Sequence, residues 1–116
     1  MHRLSIAAVL ALASLPVAAL AHHGWSSYDA TAPIKVTAPV SAVTWGNPHG
    51  TAQVTFKGKP WAVVLAPTPR MEARGLTEAM LKTAKAVTLE GFSRSDGTTE
   101  MRVERVTIDG KTVELR

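Results

Sequence analysis

The histidines of this sequence are concentrated at two places. His22 and His23 are adjacent, and His49 lies in an Asn-Pro-His turn; the fourth, His2, is near the start of the chain. A chain that began at His22 could chelate a metal through its α-amine and the Nδ1 of that ring, and a second imidazole would complete a three-nitrogen site. All-nitrogen ligation suits Cu(II), and Zn(II) next. The amine has a reference pKa of about 7.7–8.0, so a metal can displace its proton near neutral pH.

Each of these residues also has a simpler interpretation. An exposed His-His pair serves solubility alone, and His49 can be a turn residue whose ring packs on Trp45. The chain has neither a His-x-His nor a His-x₃-His spacing. Asp29 is a further candidate, either as a ligand or as a partner that orients a histidine ring. In the simpler interpretation, Asp29 caps the backbone or lies in solvent.

An aromatic surface is the alternative to a metal site. Trp25 and Trp45, together with Asn47, could cover one end of a small β domain and hold a protein, peptide or saccharide by stacking. Cysteine is absent, no Gly-x-Ser-x-Gly motif is present, and no acid partner is evident beside the histidines. No catalytic constellation is found, and the sequence does not predict an enzyme.

Residues 1–21 have the composition of a cleavable export signal. Arg3 provides a short basic start, residues 4–20 carry no charge, and Ala19-x-Ala21 offers the small side chains that signal peptidase accepts. The apolar run is interrupted by Pro16 and is shorter than the about 20 residues of a transmembrane helix. We therefore predict a signal helix that is cleaved after Ala21, a periplasmic location, and no stable membrane anchor after cleavage.

Charge argues against one class of partner. Basic residues outnumber acidic ones by thirteen to nine, but they are scattered singly along the chain. No basic run could follow a phosphate backbone, and export separates the protein from genomic DNA. We therefore expect that the protein does not bind nucleic acid. We also expect it to be a monomer.

The remaining residues read as an extended N-terminal arm over 22–33 and one domain over 34–116. Alternating apolar residues predict strands. Near Pro39–Ala42 the apolar residues change from even to odd positions, and this change of parity predicts a bend in the first strand. A second change of parity, between Val103 and Val106, predicts a bulge. The predicted elements are strands at 34–45, 52–56, 61–66, 87–91, 101–108 and 112–115, and a helical segment at 68–82. Thr68 and Thr77 are predicted to cap two short helices that meet at Gly75-Leu76, and Gly58-Lys59 and Asp109-Gly110 are predicted to form tight turns. Three strands, a helical segment and two strands, here followed by a short closing strand at 112–115, is the order of an OB-like barrel. We therefore predict a mostly β protein with a small five- to six-stranded barrel.

Several stretches resemble an uncharacterised family of small exported bacterial proteins, known only as a domain of unknown function. The resemblance is carried by the His22-His23-Gly24-Trp25 start with Tyr28-Asp29, the Trp45-Gly46-Asn47-Pro48-His49 turn and three further runs: Trp61 to Pro67, Arg70 to Leu76, and Val87 to Val106. It covers essentially the whole chain after the signal. It implies a periplasmic OB-like barrel and no particular activity.

Two functions therefore stay open at this stage. The first is a periplasmic binding or accessory protein that holds Cu(II) or Zn(II) through His22, His23 and His49, with Asp29 nearby. The second is a metal-free interaction module that uses Trp25, Trp45 and Asn47. The sequence names neither the metal nor the partner.

Overall fold

The structure, a computed structural model, describes residues 24–116. The predicted signal, His22 and His23 lie outside the described residues. A 3₁₀ turn at Trp25–Ser27 precedes the first strand. The strands are β1 (Tyr28–Ala38), β2 (Ser41–Trp45), β3 (Gly50–Phe56), β4 (Lys59–Val64), β5 (Val87–Arg94), β6 (Glu100–Ile108) and β7 (Lys111–Glu114), and the helices are α1 (Thr68–Ala73) and α2 (Glu78–Thr83).

The seven strands form one sheet, in the order β1-β5-β6-β4-β3-β2, with β7 paired to β6. Every pair is antiparallel except β4 with β6. The prediction of a mostly β fold is confirmed. The prediction of a closed five- to six-stranded barrel is wrong, because the sheet is open: no ladder joins the edge strands β1 and β2.

The open sheet follows from the way the first predicted strand is divided. It is interrupted at Pro39-Val40, and Pro39 has no N–H to donate to a ladder. The part before the break pairs with β5, and the part after it pairs with β3. The β2–β3 register shifts between Ser41 and Thr44, where Ala42 has a positive φ of 48°. The predicted bend is therefore present, and its two arms are opposite edges of the sheet.

The second predicted irregularity is a bulge in β6. Glu90 pairs with Arg105 and Gly91 pairs with Val103, so the ladder skips Glu104. The backbone oxygen of Glu104 accepts instead from the N–H of Leu115, at 2.8 Å. The bulge keeps the apolar residues on both sides of it turned toward the core, as the change of parity predicts.

The core is one apolar cluster that receives residues from all seven strands or the segments that connect them. Among residues 24–116 no charged or polar side chain is buried. The most completely buried large side chains are Leu65, Met71, Leu76, Leu81, Leu89, Met101 and Leu115. Ile34 and Val36 of β1 belong to the same cluster as Ala52 and Val54 of β3. The open sheet is therefore curled around a single core.

The helical segment is two short helices, as the position of Gly75 predicts. The N–H of Gly75 (φ +90°) bonds to the carbonyl of Glu72, and the N–H of Leu76 bonds to that of Met71, so α1 ends in a Schellman motif. Thr77 caps α2 by accepting from the N–H of Met80 at 3.3 Å. The cap predicted at Thr68 is wrong by one residue, since Pro67 precedes α1 and no side chain caps it.

Within residues 24–116, no helix has the length and apolar character needed to cross a membrane. Residues 28–33, predicted as part of an extended arm, form the first half of β1. The arm is thus continuous with the sheet from Tyr28 onward.

Candidate functional site

Trp25 is packed against the outer face of the sheet, the side away from the core. Side chains alternate along a strand, so Phe92 and Arg102 point outward while Gly91 and Met101 are buried on the inner side. The Trp25 ring meets Phe92 edge-on, with centroids 6.3 Å apart. The guanidinium carbons of Arg102 and Arg116 lie 4.7 and 4.3 Å from the centroid of the same ring. The aromatic contact attaches the start of the described chain to β5, and the two cation–π contacts attach it to β6 and to Arg116.

Tyr28 extends this outer aromatic cluster, and its ring packs edge-on against Trp25 at 6.4 Å. Its hydroxyl donates to Oε2 of Glu100 at 2.6 Å, and Nη1 of Arg94 donates to the same oxygen at 3.2 Å. Burial of the phenol, and secondly the neighbouring Glu100 carboxylate, raise the pKa of Tyr28 to about 12. Tyr28 is buried but is not part of the main core.

Tyr28 is the only tyrosine in the chain, so its ionisation can be measured directly. We expect tyrosinate absorbance in the folded protein to rise with a midpoint near 12, against the ordinary value of 10.0 in urea. Between these two pH values the folded state holds a proton that the unfolded state has lost. Stability conferred by the neutral phenol is therefore complete below about 10 and is lost as pH rises toward 12. Circular dichroism recorded in parallel verifies that the protein is folded. A folded-state midpoint at 10 would contradict the packing of Tyr28 against Glu100.

Asp29 follows immediately in β1 and faces solvent. Its Oδ1 accepts from the backbone N–H of Thr31 at 2.8 Å and from the Thr31 hydroxyl at 2.6 Å. These two hydrogen bonds lower the pKa of the Asp29 carboxyl. The arrangement corresponds to the backbone-capping interpretation of Asp29. A role for it as a metal ligand stays a prediction.

Trp45 and the turn that follows it lie at the other edge of the sheet. The Trp45 indole is half-buried, and its Nε1–H donates to Oε1 of Glu72 in α1 at 2.9 Å. Asn47 is exposed and precedes Pro48 through a cis peptide bond, and His49 is half-buried in the β2–β3 loop. Trp45 therefore joins β2 to α1, whereas Asn47 is exposed together with Gly46 and Pro48.

The predicted metal ligands are only partly within the described chain. Asp29 and His49 lie in different elements, β1 and the β2–β3 loop. Across residues 24–116, no three His, Cys, Asp or Glu side chains form a group that could hold a metal ion. His22 and His23 lie outside this range.

The strand register relates the two parts of the predicted site. Val64 of β4 pairs with Thr51 of β3 on one side and with Arg102 of β6 on the other. Neighbouring strands are about 4.8 Å apart, so Thr51 and Arg102 are separated by about 10 Å. His49 comes two residues before Thr51 in the chain. The β2–β3 loop and the Trp25 cluster are thus separated by two strand spacings on one sheet.

Several arginines connect separate elements of the fold. Arg70 donates to the carbonyl of Leu115 at 3.1 Å, and Arg74 donates to those of Glu114 and Arg116 at 2.8 and 3.1 Å. Helix α1 thereby holds the last strand. The contact of Arg116 with Trp25 had no signal in the sequence, because it joins the two ends of the described chain.

The chain matches a family of unknown function, DUF6152, over residues 9–102. It belongs to this family. The matched range contains His22, His23, Trp25, Asn47 and His49, and ends at the arginine that stacks on Trp25. None of the curated proteins matches the sequence. The family description assigns no activity, so a function for this DUF6152 protein has to be argued from its residues.

Proposed function

We propose that this DUF6152 protein is an exported, periplasmic binding or accessory domain that holds Cu(II), with Zn(II) as the second choice. The α-amine and imidazole of His22, the ring of His23 and the ring of His49 supply the ligands after cleavage at Ala21. Nitrogen donors alone favour Cu(II) in the order of divalent metal affinities. Asp29 is a candidate for an outer position near the site.

The observation that carries this proposal is the fixed position of Trp25. Two guanidinium groups and two aromatic edges hold its ring on the outer face of the sheet. His22 is three residues away, and an extended chain spans at most about 3.6 Å per residue. The α-carbon of His22 is therefore confined to within about 11 Å of that of Trp25.

The position of His49 is compatible with that reach. Two strand spacings across the sheet, and the two residues from Thr51 back to His49, separate Arg102 from His49, which corresponds to roughly 12 Å for an extended chain in a flat sheet. Trp25 stacks directly on Arg102. Three residues of chain, together with the lengths of two histidine side chains, are enough to bring the His22 nitrogens to the His49 ring.

The alternative, a metal-free interaction module built on Trp25 and Trp45, has less support. Trp25 is covered by Arg102 and Arg116, and Trp45 donates its indole N–H to Glu72. A stacking surface needs an indole face open to a ligand. The Trp25 ring already carries two guanidinium groups, and Trp45 is partly buried against the core and held to α1 by its indole N–H.

The test uses protein that has been exported and processed by the cell. Intact mass first establishes whether the chain begins at His22. Calorimetric titration with Cu(II), together with electron paramagnetic resonance, then measures affinity and the number of nitrogen ligands. We expect His22→Ala and His49→Ala each to lower Cu(II) affinity at least tenfold.

A matched control separates the terminal amine from the imidazole. Protein carrying one added residue before His22 keeps all three rings and loses the chelate between the amine and the first ring. Its Cu(II) affinity should also fall at least tenfold. Cleavage elsewhere than after Ala21, or unchanged affinity in both histidine variants, would remove the proposal. Loss of partner capture in Trp25→Ala or Trp45→Ala, with no effect of the histidine changes, would favour the interaction module.

A further inference from the structure

We propose that the cleft between α2 and the β6–β7 turn binds a small amphipathic anion, a carboxylate carried on an apolar chain. The cleft has a volume of about 710 Å³, within the range of roughly 300–1,000 Å³ found for small-molecule sites. It is lined chiefly by Met80, Ala84, Lys85, Ala86, Ile108 and Lys111. It shares no residue with the proposed metal site.

The floor of the cleft is apolar. Met80 of α2 and Ala84, the residue that follows the helix, are half-buried and pack against the core, and Ile108 is a core residue at the end of β6. Ala86 is exposed just before β5. Covering apolar side chains of a concave surface with a hydrocarbon chain removes apolar area from water, which lowers the free energy.

The rim of the cleft is cationic. Lys85 and Lys111 are both exposed, and neither takes part in an ion pair within residues 24–116. Nζ of Lys111 donates to the carbonyl oxygen of Gly75 at 3.2 Å, which holds the ammonium at the rim and leaves other N–H groups for a ligand. Asp109 is the one acidic residue of the lining, so two positive charges face one negative charge.

This combination selects the class of ligand. An apolar floor excludes strongly hydrated ions, and two ammonium groups without carboxylate partners favour an anionic head over a neutral or cationic one. The ligand that satisfies both parts is a medium-chain carboxylate. A neutral alcohol of the same length would contact the apolar floor but would have no negative charge for Lys85 and Lys111 to bind.

The test uses the exported protein and decanoate below its micelle concentration. Amide chemical shifts in a ¹H–¹⁵N correlation spectrum locate the binding, and calorimetry measures it. We expect shifts confined to α2, the start of β5 and the β6–β7 turn, with decanol binding at least tenfold more weakly than decanoate. Lys85→Gln should weaken decanoate binding severalfold, and Ala86→Trp, which fills the cleft from its exposed side, should abolish it.

The control removes charge elsewhere. Lys57→Gln with Lys59→Gln eliminates two exposed lysines on the β3–β4 hairpin and should leave decanoate binding unchanged. Equal losses in this variant and in Lys85→Gln, equal binding of decanol and decanoate, or shifts at other residues would each overturn the proposal. Binding to anionic vesicles without binding to decanoate would overturn it in favour of a membrane surface. Each of these outcomes is independent of the Cu(II) titration.

Discussion

Gly91→Ala is expected to lower the free energy of unfolding by about 3 kcal/mol, the upper end of the usual range for overpacking. A Cβ added at Gly91 would lie 2.0 Å from the carbonyl oxygen of Arg102 and 2.9 Å from the α-carbon of Val103. Both atoms are backbone of the neighbouring strand, so no side chain can rotate to make room. The β5–β6 ladder must separate beside its bulge, in the centre of the sheet.

Urea denaturation followed by circular dichroism measures this change. Gly46→Ala is the matched control, since a Cβ there meets nothing within 4 Å and the residue does not have a positive φ. It should alter the free energy of unfolding by less than about 0.5 kcal/mol. Similar unfolding midpoints for the two variants would show that β5 and β6 approach each other less closely than described.

Trp25→Ala is expected to lower the free energy of unfolding by about 2 kcal/mol. The indole has two cation–π contacts, each worth about 0.5–1 kcal/mol at an exposed site, and two edge-on aromatic contacts worth about 0.5–1.5 kcal/mol each. Because Arg102, Arg116 and Trp25 are all partly exposed and both guanidinium groups contact the same ring, their contributions are not additive, and the expected loss of stability is smaller than the sum of these values. If the proposed function holds, Cu(II) affinity falls too, because the N-terminal segment loses its attachment near His49.

Two further variants separate these effects. Trp25→Phe keeps an aromatic face and should recover part of the stability, and Arg116→Gln removes one of the two stacked guanidinium groups and should have a smaller effect than Trp25→Ala. Denaturation midpoints for the four proteins should fall in the order wild type, Trp25→Phe or Arg116→Gln, then Trp25→Ala. A Trp25→Ala protein as stable as the wild type would contradict the docking of this segment on the sheet.

The contacts of the arginines and of Trp25 connect elements of the domain that are far apart in the chain. Such connections are important because the domain is small. A domain of this length without cysteine depends on its core and on connections between its elements. Arg70 and Arg74 attach α1 to the last strand, and Arg116 attaches the end of that strand to Trp25. The N-terminal segment, the C-terminal strand and the helix are thereby joined on one side of the molecule.

Local features could be predicted from the sequence because each depends on a few neighbouring residues. The turn at Asp109-Gly110 has positive φ at both positions, 49° and 78°, as a type I′ hairpin requires. Thr77 caps α2 and Gly75 ends α1 as predicted. The hairpin predicted at Gly58-Lys59 is displaced by one residue, to Lys57-Gly58, where both residues have positive φ. Most strand positions and the two irregularities could likewise be predicted, since the alternation of apolar residues is a local pattern.

The assembly of these elements was decided by tertiary structure. Parity shows that a strand bends, but not that its two arms pair with β5 and β3 and leave the sheet open. Composition shows arginines and tryptophans, but not that Arg102 and Arg116 stack on Trp25 or that Glu72 accepts from Trp45. The sequence by itself determined most of the elements, the apolar face of each and the clustering of the histidines, but not the division of the first predicted strand or the start of β1 at Tyr28. Which side chains meet across the sheet was decided only by the fold, because such partners are far apart in the chain and no local pattern records their pairing.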